Sequence, residues 1–178
     1  MGQTITEKIV ANHLIRGEAI PGRQAVVSVD VLLTHDVCGP PTADIHAREF
    51  GKDAPVFDRN GVVIIPDHYI FTKDATAARN VEALRRFALA KGISHFYDVG
   101  KDYKGVCHVA LPQERLVHPG DIIVGTDSHT TTHGAFGTLS IGVGNTTGAY
   151  VMGAGHIIIN TPESVRFRFS NEFPKYVM

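Results

Sequence analysis

Short apolar runs rich in β-branched residues alternate with helical segments along this chain, and this alternation constrains the fold more than any other feature. Three such runs are "AVVSVDVLL", then "GVVIIPDHYI", which Pro66 interrupts, and "IIVG", which follows a "PGD" turn. A short continuous apolar run between turn residues is typical of a strand buried in a sheet. Because helical segments separate these strands, the sequence predicts one layered α/β domain.

Three segments carry the signals of helices. In "TITEKIVANHLI", Thr4 and Glu7 have the spacing of a capping box, which predicts that a helix begins there. The segment 74–91 places its apolar residues on one face and is followed by Gly92, which predicts a helix that ends at this glycine. A further helix is expected over about 42–50, closed by the next glycine.

The remaining segments are expected to be extended. We interpret "ISHFYDVG" and "GVCHVALP" as short extended pieces, and "HIIINTPESVRFRFS" has strand character. In this last segment apolar and polar residues alternate from Val165 to Ser170, which predicts a half-buried strand. The Gly- and Ala-rich stretch 134–155 is suited to close packing of backbones.

The composition bounds the class of protein. The 178 residues are 43% hydrophobic and 20% charged, as in one globular domain. A formal net charge of −1 gives no electrostatic reason to expect nucleic acid or an anionic membrane as a partner. No apolar run reaches transmembrane length and the first residues show no secretory signal, so we expect a cytoplasmic protein. The ten histidines are the one compositional sign of chemistry.

Polar side chains recur where the apolar runs end. These residues are His35, Asp36, Asp67, His68, His108, Asp127, Ser128 and His129. In open parallel α/β sheets, ligands bind in the crevice beyond the carboxyl ends of the strands, so four segments that end in His or Asp are able to converge on one site. Asp and Ser are also common in local turns and helix caps, and that alternative stays open for each pair taken alone.

The stretch "GTDSHTTTHGAFG" at 125–137 admits several chemistries. A hydrolase triad of Asp127, Ser128 and His129 is disfavoured because sequence neighbours point to different sides and no G-x-S-x-G elbow is present. A zinc pair of His129 and His133 requires a helix, and "TTTHG" is a poor helix without a glutamate base. The glycines of "GVGNTTG" do not fit a nucleotide-binding loop. A polar wall for a substrate with carboxylate and hydroxyl oxygens remains, in which an Asp–His pair protonates a leaving hydroxide.

The motifs "IPDHYI", "GVCHVALPQE", "IVGTDSHTTTHGAFGTLSIGVGNT" and "TPESVRFRFS" occur in this order over essentially the whole chain. In this respect the sequence resembles the aconitase superfamily, and within it the branch of the isopropylmalate isomerases and homoaconitases. The resemblance implies a three-layer α/β/α N-terminal domain with a largely parallel sheet. It also implies a hydro-lyase that removes water from a 2-hydroxy di- or tricarboxylate and adds it back, with 2-isopropylmalate of leucine biosynthesis as the first candidate substrate.

The resemblance also assigns roles to residues. It makes His68 the acid that protonates the departing hydroxide, with Asp67 paired to it. The catalytic positions that it implies are Asp67, His68, His108, Asp127, Ser128 and His129, and the substrate-binding positions are His35, Asp36 and Thr132. His35 stands where aconitases have Gln and Thr132 where they have Asn, and both favour the isomerase branch.

The family carries a 4Fe-4S cluster with one iron that lacks a protein ligand and acts as a Lewis acid. Its three cysteine ligands are expected downstream of Met178, since Cys38 and Cys107 match none of them, and we expect no metal ligated by this chain. A small swivel-domain subunit is the expected partner. Residues 1–178 are therefore interpreted as one α/β domain, the first of a longer large subunit and inactive alone.

Alternatives within the family are a homoaconitase, an aconitase or a dimethylmalate dehydratase. A non-catalytic fragment that binds a small acid or assists assembly is the alternative of another class.

Overall fold

A computed structural model describes residues 2–177. Within this range the strands are β1 (Leu14–Gly17), β2 (Gln24–Ser28), β3 (Val31–Thr34), β4 (Val62–Ile64), β5 (His95–Phe96), β6 (Ile122–Gly125), β7 (Leu139–Gly142) and β8 (His156–Asn160). The α-helices are α1 (Ile5–Asn12), α2 (Gly39–Phe50), α3 (Ala75–Lys91), α4 (Cys107–Gln113) and α5 (Asn145–Ala154). A 3-10 helix spans Thr130–Phe136.

Five parallel strands form the central sheet in the order β5-β4-β3-β6-β7. Every residue of β3, β4 and β6 is buried because helices cover both faces. Leu32 packs on one face with α3 and α5, whereas its neighbour Leu33 packs on the other face with α4. The prediction of a three-layer α/β/α domain with a largely parallel sheet is confirmed.

A second sheet is antiparallel, with the order β1-β2-β8. The run "AVVSVDVLL" forms two strands, β2 in this sheet and β3 in the central sheet, so the prediction of a single strand is wrong. The division lies at Asp30, whose carboxylate accepts the Ile122 amide at 2.7 Å and lies 2.9 Å from Nε2 of His13. A charged side chain in the middle of the run thus caps the start of β6 and turns the chain from one sheet to the other.

Two further predictions are wrong. "GVCHVALP" is not extended but forms α4, because Cys107, Ala110 and Leu111 have helical spacing and bury one face against the sheet. His108 therefore follows no strand. The half-buried strand expected from Val165 to Ser170 does not form: β8 ends at Asn160, and the apolar residues beyond it are exposed with no strand beside them among residues 2–177.

The predicted helix signals hold. The Thr4 hydroxyl accepts the Glu7 amide at 3.2 Å and the Glu7 carboxylate accepts the Thr4 amide at 2.6 Å, which is the predicted capping box. α3 begins after Asp74, the residue that caps it, and ends at Gly92. α2 begins three residues earlier than expected, at Gly39. Pro40 and its neighbouring proline suit the first turn of a helix, because the amide that proline lacks would have no partner there.

The order of the strands locates a crevice. The chain runs outward from β3 to β4 and β5, then returns to the other side of β3 and runs outward again through β6 and β7. The direction therefore changes between β3 and β6, and ligands of open α/β sheets bind at such a switch point. Each helix within residues 2–177 is too short or too polar to span a lipid bilayer.

Candidate active site

Asp127, in the loop after β6, lies at the centre of a histidine cluster at this switch point. Its Oδ1 accepts hydrogen bonds from Nε2 of His108 and from the amide of His129, both at 2.7 Å. Its Oδ2 lies 3.5 Å from Nε2 of His68 and 3.8 Å from Nε2 of His35. Burial works to raise the pKa of Asp127, but the hydrogen bonds outweigh it and lower the pKa to about 2. One ionised carboxylate therefore connects four segments of the chain.

His68, in the loop after β4, forms a dyad with its neighbour. Its Nδ1 donates to Oδ1 of Asp67 at 2.6 Å, and Oδ2 of Asp67 accepts the amide of Cys107 at 2.7 Å. The Asp67 carboxylate is thereby fixed and nearly fully buried, whereas the imidazole of His68 is 37% exposed. Since Nδ1 is engaged, the nitrogen of His68 that is free for chemistry is Nε2.

Asp36 fixes the backbone that carries this dyad. Its buried carboxylate accepts the amides of Asp67 and His68 at 2.9 Å each and the amide of Tyr69 at 2.8 Å. Burial works to raise the pKa of Asp36, but these amide donors outweigh it and the pKa lies below its ordinary value. With its oxygens engaged by the backbone, Asp36 positions the dyad.

His35 supplies a donor without a protein partner. Its ring stacks on that of His68 with centroids 3.9 Å apart, and its Nδ1 accepts the amide of Val37 at 3.4 Å. Its Nε2 is buried and has no hydrogen-bond partner among residues 2–177. Burial, with the charge of His68, lowers the pKa of His35, so the ring is neutral and Nε2 carries the proton. A buried N–H of this kind marks a place for a ligand oxygen.

From the sequence, His133 was considered only as half of a disfavoured zinc pair, and the structure gives it a place in the cluster. Its Nε2 lies 3.3 Å from Nδ1 of His108, so it supports the ring that binds Asp127. Burial, with the charge of His108, lowers the pKa of His133 to about 4. The signal that was available is the i, i+3 spacing of Thr130 and His133, which places both on the buried side of a 3-10 helix.

The other predicted residues lie further out. Ser128 is exposed, with its hydroxyl 3.4 Å from Nδ1 of His129. Thr132 is exposed on the 3-10 helix, and its side chain makes no hydrogen bond within residues 2–177. The expectation that Thr132 contacts substrate therefore rests on the resemblance alone and stays a prediction.

A cavity of about 460 Å³ opens beside the cluster. Its lining includes His35, Cys38, His68, Asp127, Ser128 and Gly144. Gly144 is the N-cap of α5 and offers no side-chain cap, so the positive end of this helix meets the cavity. Gly142 lets the backbone of β7 pack directly against the loop after β6. A Cβ at this position would lie 2.7 Å from the carbonyl oxygen of Asp127 and 3.2 Å from the Cα of Ser128.

The fold and the cluster together define a class. Residues 7–178 match the aconitase family (aconitate hydratase), and the chain belongs to this family.

Among its relatives is a protein of Arabidopsis thaliana named 3-isopropylmalate dehydratase large subunit, chloroplastic, which is 47% identical over 99% of this chain and 36% of that protein. Proteins named 3-isopropylmalate dehydratase large subunit from Syntrophus aciditrophicus and Aquifex aeolicus are 42% and 38% identical, over 99% and 100% of this chain and 41% and 40% of their own. This chain spans about two fifths of the length of these relatives.

The residues described here do not fit the iron–sulfur cluster that the family implies. Cluster ligands are thiolates. Burial raises the pKa of Cys107, whose side chain is fully buried in α4, and it also raises the pKa of the half-buried Cys38. Both thiols are thus held in the protonated form, and the donors that gather around the cavity are imidazoles and carboxylates.

Proposed function

We propose that this chain contributes the proton-donating wall of a hydro-lyase site, which dehydrates and rehydrates a 2-hydroxy dicarboxylate reversibly. The observation that carries the proposal is the geometry of His68, whose Nδ1 is held by a buried carboxylate while Nε2 faces Asp127 and the cavity. A histidine held in this way is suited to general acid–base catalysis. The names of the relatives, at 38–47% identity, support 2-isopropylmalate as the substrate.

The proton transfer runs through His68. In the imidazolium form, Nε2 donates its proton to the hydroxyl oxygen of the substrate while the C–O bond breaks, and water leaves. Asp67 stabilises the imidazolium through the 2.6 Å hydrogen bond to Nδ1. In the hydration direction, Nε2 of His68 accepts a proton from the incoming water. The base that takes the carbon-bound proton, whose electron pair becomes the double bond, lies outside this chain in the proposal.

The charges of the cavity orient the substrate. The ionised Asp127 repels a carboxylate and accepts a hydrogen bond from a hydroxyl, so the hydroxyl end of the substrate faces the histidine cluster. The N-terminus of α5 favours one carboxylate group, whereas the N–H of His35, 3.8 Å from the Asp127 carboxylate, is suited to the hydroxyl oxygen. None of the described residues that line the cavity is Lys or Arg. The cations for a second carboxylate therefore come, in this proposal, from another chain or domain.

The partner and the domain organisation follow from the same proposal. The words "large subunit" in the names of the relatives support a small subunit as partner, which would supply the missing cations and the base. Residues 1–178 would be one domain of a larger enzyme that is inactive without the rest, and the cluster ligands would lie outside it. The cytoplasmic compartment stays a prediction, since one relative is named chloroplastic.

The test is His68→Gln in the complete enzyme that contains this chain. We expect kcat for 2-isopropylmalate to fall ~10²–10⁴-fold while KM changes little, as for loss of a general acid. Formation of the unsaturated acid is followed by ultraviolet absorbance. His118→Gln is the matched control, because His118 pairs with Asp121 on the surface. Unchanged turnover in His68→Gln would remove His68 from the acid role, and turnover of citrate or homocitrate instead would overturn the substrate.

A further inference from the structure

We propose that Val37, Cys38 and Val143 bind the alkyl group of the substrate and thereby select a 2-alkylmalate over a tricarboxylate. All three residues line the cavity beside the histidine cluster, and we call them the apolar wall. The inference rests on the proposed hydro-lyase function. It adds to that function the residues that recognise the side chain of the substrate.

The apolar wall forms where two helices begin side by side. Val37 and Cys38 lie between β3 and α2, and Cys38 is the N-cap of α2. Val143 lies between β7 and α5. The first turns of the two helices are neighbours, because the Thr42 hydroxyl donates to Oδ1 of Asn145 at 3.5 Å. Two segments that are far apart in the chain therefore bring three apolar side chains to one cavity.

Backbone hydrogen bonds hold the two valines in place. The Val143 amide donates to the carbonyl oxygen of Gly125 at 2.8 Å, which fixes it to the end of β6. The Val37 amide donates to Nδ1 of His35 at 3.4 Å, and the ring of His35 stacks on that of His68. A wall that is fixed before the ligand arrives loses little entropy on binding, so its contacts contribute fully to selectivity.

Packing of the core does not explain the valine at position 37. Two hydrophobic clusters form the core among residues 2–177, and Val37 belongs to neither of them. Val143 packs against one cluster and also lines the cavity. Cys38 adds uncharged surface, because burial and the charges of Asp127 and Asp36 raise the pKa of its thiol. Apolar surface that lines a cavity favours an apolar group of a ligand over water.

The cavity matches the three groups on one carbon atom of 2-isopropylmalate, which are a hydroxyl, a carboxylate and a branched alkyl group. In the proposed function the hydroxyl faces His68 and Asp127, and the carboxylate faces the N-terminus of α5. The apolar wall adjoins the start of α5, so it receives the third group, the alkyl substituent.

A tricarboxylate such as citrate fits this arrangement poorly. Its third arm would place an ionised carboxylate against the apolar wall, close to the negative charge of Asp127. None of the described residues that line the cavity is a Lys or Arg that would pair with this arm. An unpaired charge against apolar side chains disfavours binding, so the wall rejects tricarboxylates as well as accepting alkyl groups.

Kinetics of the complete enzyme with 2-alkylmalates test the apolar wall. The measured quantity is the ratio of kcat/KM for 2-isopropylmalate to kcat/KM for 2-methylmalate. We expect Val37→Ala to lower this ratio ~10-fold, because the loss of a methyl-sized contact in an apolar pocket changes selectivity by this factor or more. Val37→Thr keeps the shape but replaces one methyl by a hydroxyl, and should lower the ratio by a smaller factor. Val165→Ala is the matched control, since Val165 is exposed beyond β8 and does not line the cavity.

An unchanged ratio in Val37→Ala would overturn the apolar wall. An equal loss of kcat/KM for both substrates would also overturn it, because that result indicates a structural role only, and so would an equal change of the ratio in Val165→Ala. Circular dichroism checks folding, and Val37→Thr decides if Val37→Ala does not fold. If the unaltered enzyme turns over no 2-alkylmalate, the proposed function fails as well. If it turns over 2-isopropylmalate and Val37→Ala keeps the ratio, only the apolar wall fails.

Discussion

The two oxygens of Asp127 face two different environments. Oδ1 accepts two short hydrogen bonds, from Nε2 of His108 and from the His129 amide, both at 2.7 Å. The buried His133 contacts the other nitrogen of His108. We call this the closed side of the carboxylate. Oδ2 has only longer contacts, with Nε2 of His68 at 3.5 Å and Nε2 of His35 at 3.8 Å. We call this the open side. One oxygen of the carboxylate therefore binds other parts of the chain, while the other lies beside the two histidines that line the cavity.

Asp127→Asn removes the charge from both sides and is expected to have the largest effect. In the complete enzyme we predict a fall in kcat/KM of at least ~10³-fold, because the positioning of His108 and the charge beside His68 are lost together. Steady-state kinetics with 2-isopropylmalate measure the effect. Asp121→Asn, on a half-buried aspartate outside the cluster that accepts the His118 amide, is the control. A loss of less than ~10-fold would mean that Asp127 does not link the two sides.

The closed side is expected to make stability depend on pH. His133 has a pKa of about 4 in the folded chain against an ordinary value of 6.5, so the unfolded chain binds this proton first. Stability is therefore highest above pH ~6.5 and falls as the pH drops toward ~4, by up to about 3 kcal/mol for this group. The stability that Asp127 contributes is lost only at lower pH, as the pH falls through its pKa of about 2.

Urea unfolding of the chain between pH ~7 and ~4 measures this slope. His133→Gln should flatten it, and the exposed His118→Gln should leave it as it is. Some slope remains in His133→Gln because burial also lowers the pKa values of His35 and His46. An identical slope in His133→Gln and the unaltered chain would contradict the prediction.

Gly142→Ala tests how closely the loop after β6 is packed. The new methyl group would meet the backbone of Asp127 and Ser128, which cannot rotate away as a side chain can. We expect the loop to move and kcat in the complete enzyme to fall ~10–100-fold. Gly134→Ala is the control, since a Cβ at Gly134 meets no atom within 4 Å. Equal kcat values for the two variants would show that the loop tolerates displacement.

Thr132→Ala should have the smallest effect, because Thr132 is exposed and its side chain has no hydrogen bond within residues 2–177. If Thr132 contacts the substrate as the resemblance implies, KM rises a few-fold with kcat unchanged, which is the pattern for loss of a binding contact. Substrate-saturation curves in the complete enzyme separate the two constants. A large fall in kcat would place Thr132 among the reacting groups and contradict its exposed position.

The sequence predicted the cluster where the fold follows simple periodicity. The residues after β3, β4 and β6 were correctly expected to converge because buried parallel strands end at one edge of the sheet. His108 was expected at the end of a strand and lies in α4, a seven-residue helix that owes its stability to tertiary packing rather than to local signals. The split at Asp30 was missed because its cause, the amide of Ile122, is 92 residues away along the chain.

The tautomers of two histidines test the different roles of the two oxygens most directly. Nitrogen-15 NMR of the chain at mildly alkaline pH, where imidazoles are neutral, reports which ring nitrogen carries the proton. We predict opposite tautomers: the proton on Nδ1 in His68, which donates to Asp67, and on Nε2 in His108, which donates to Asp127. A proton on Nε2 in both rings would contradict this, because His68 would then have no basic nitrogen facing the cavity.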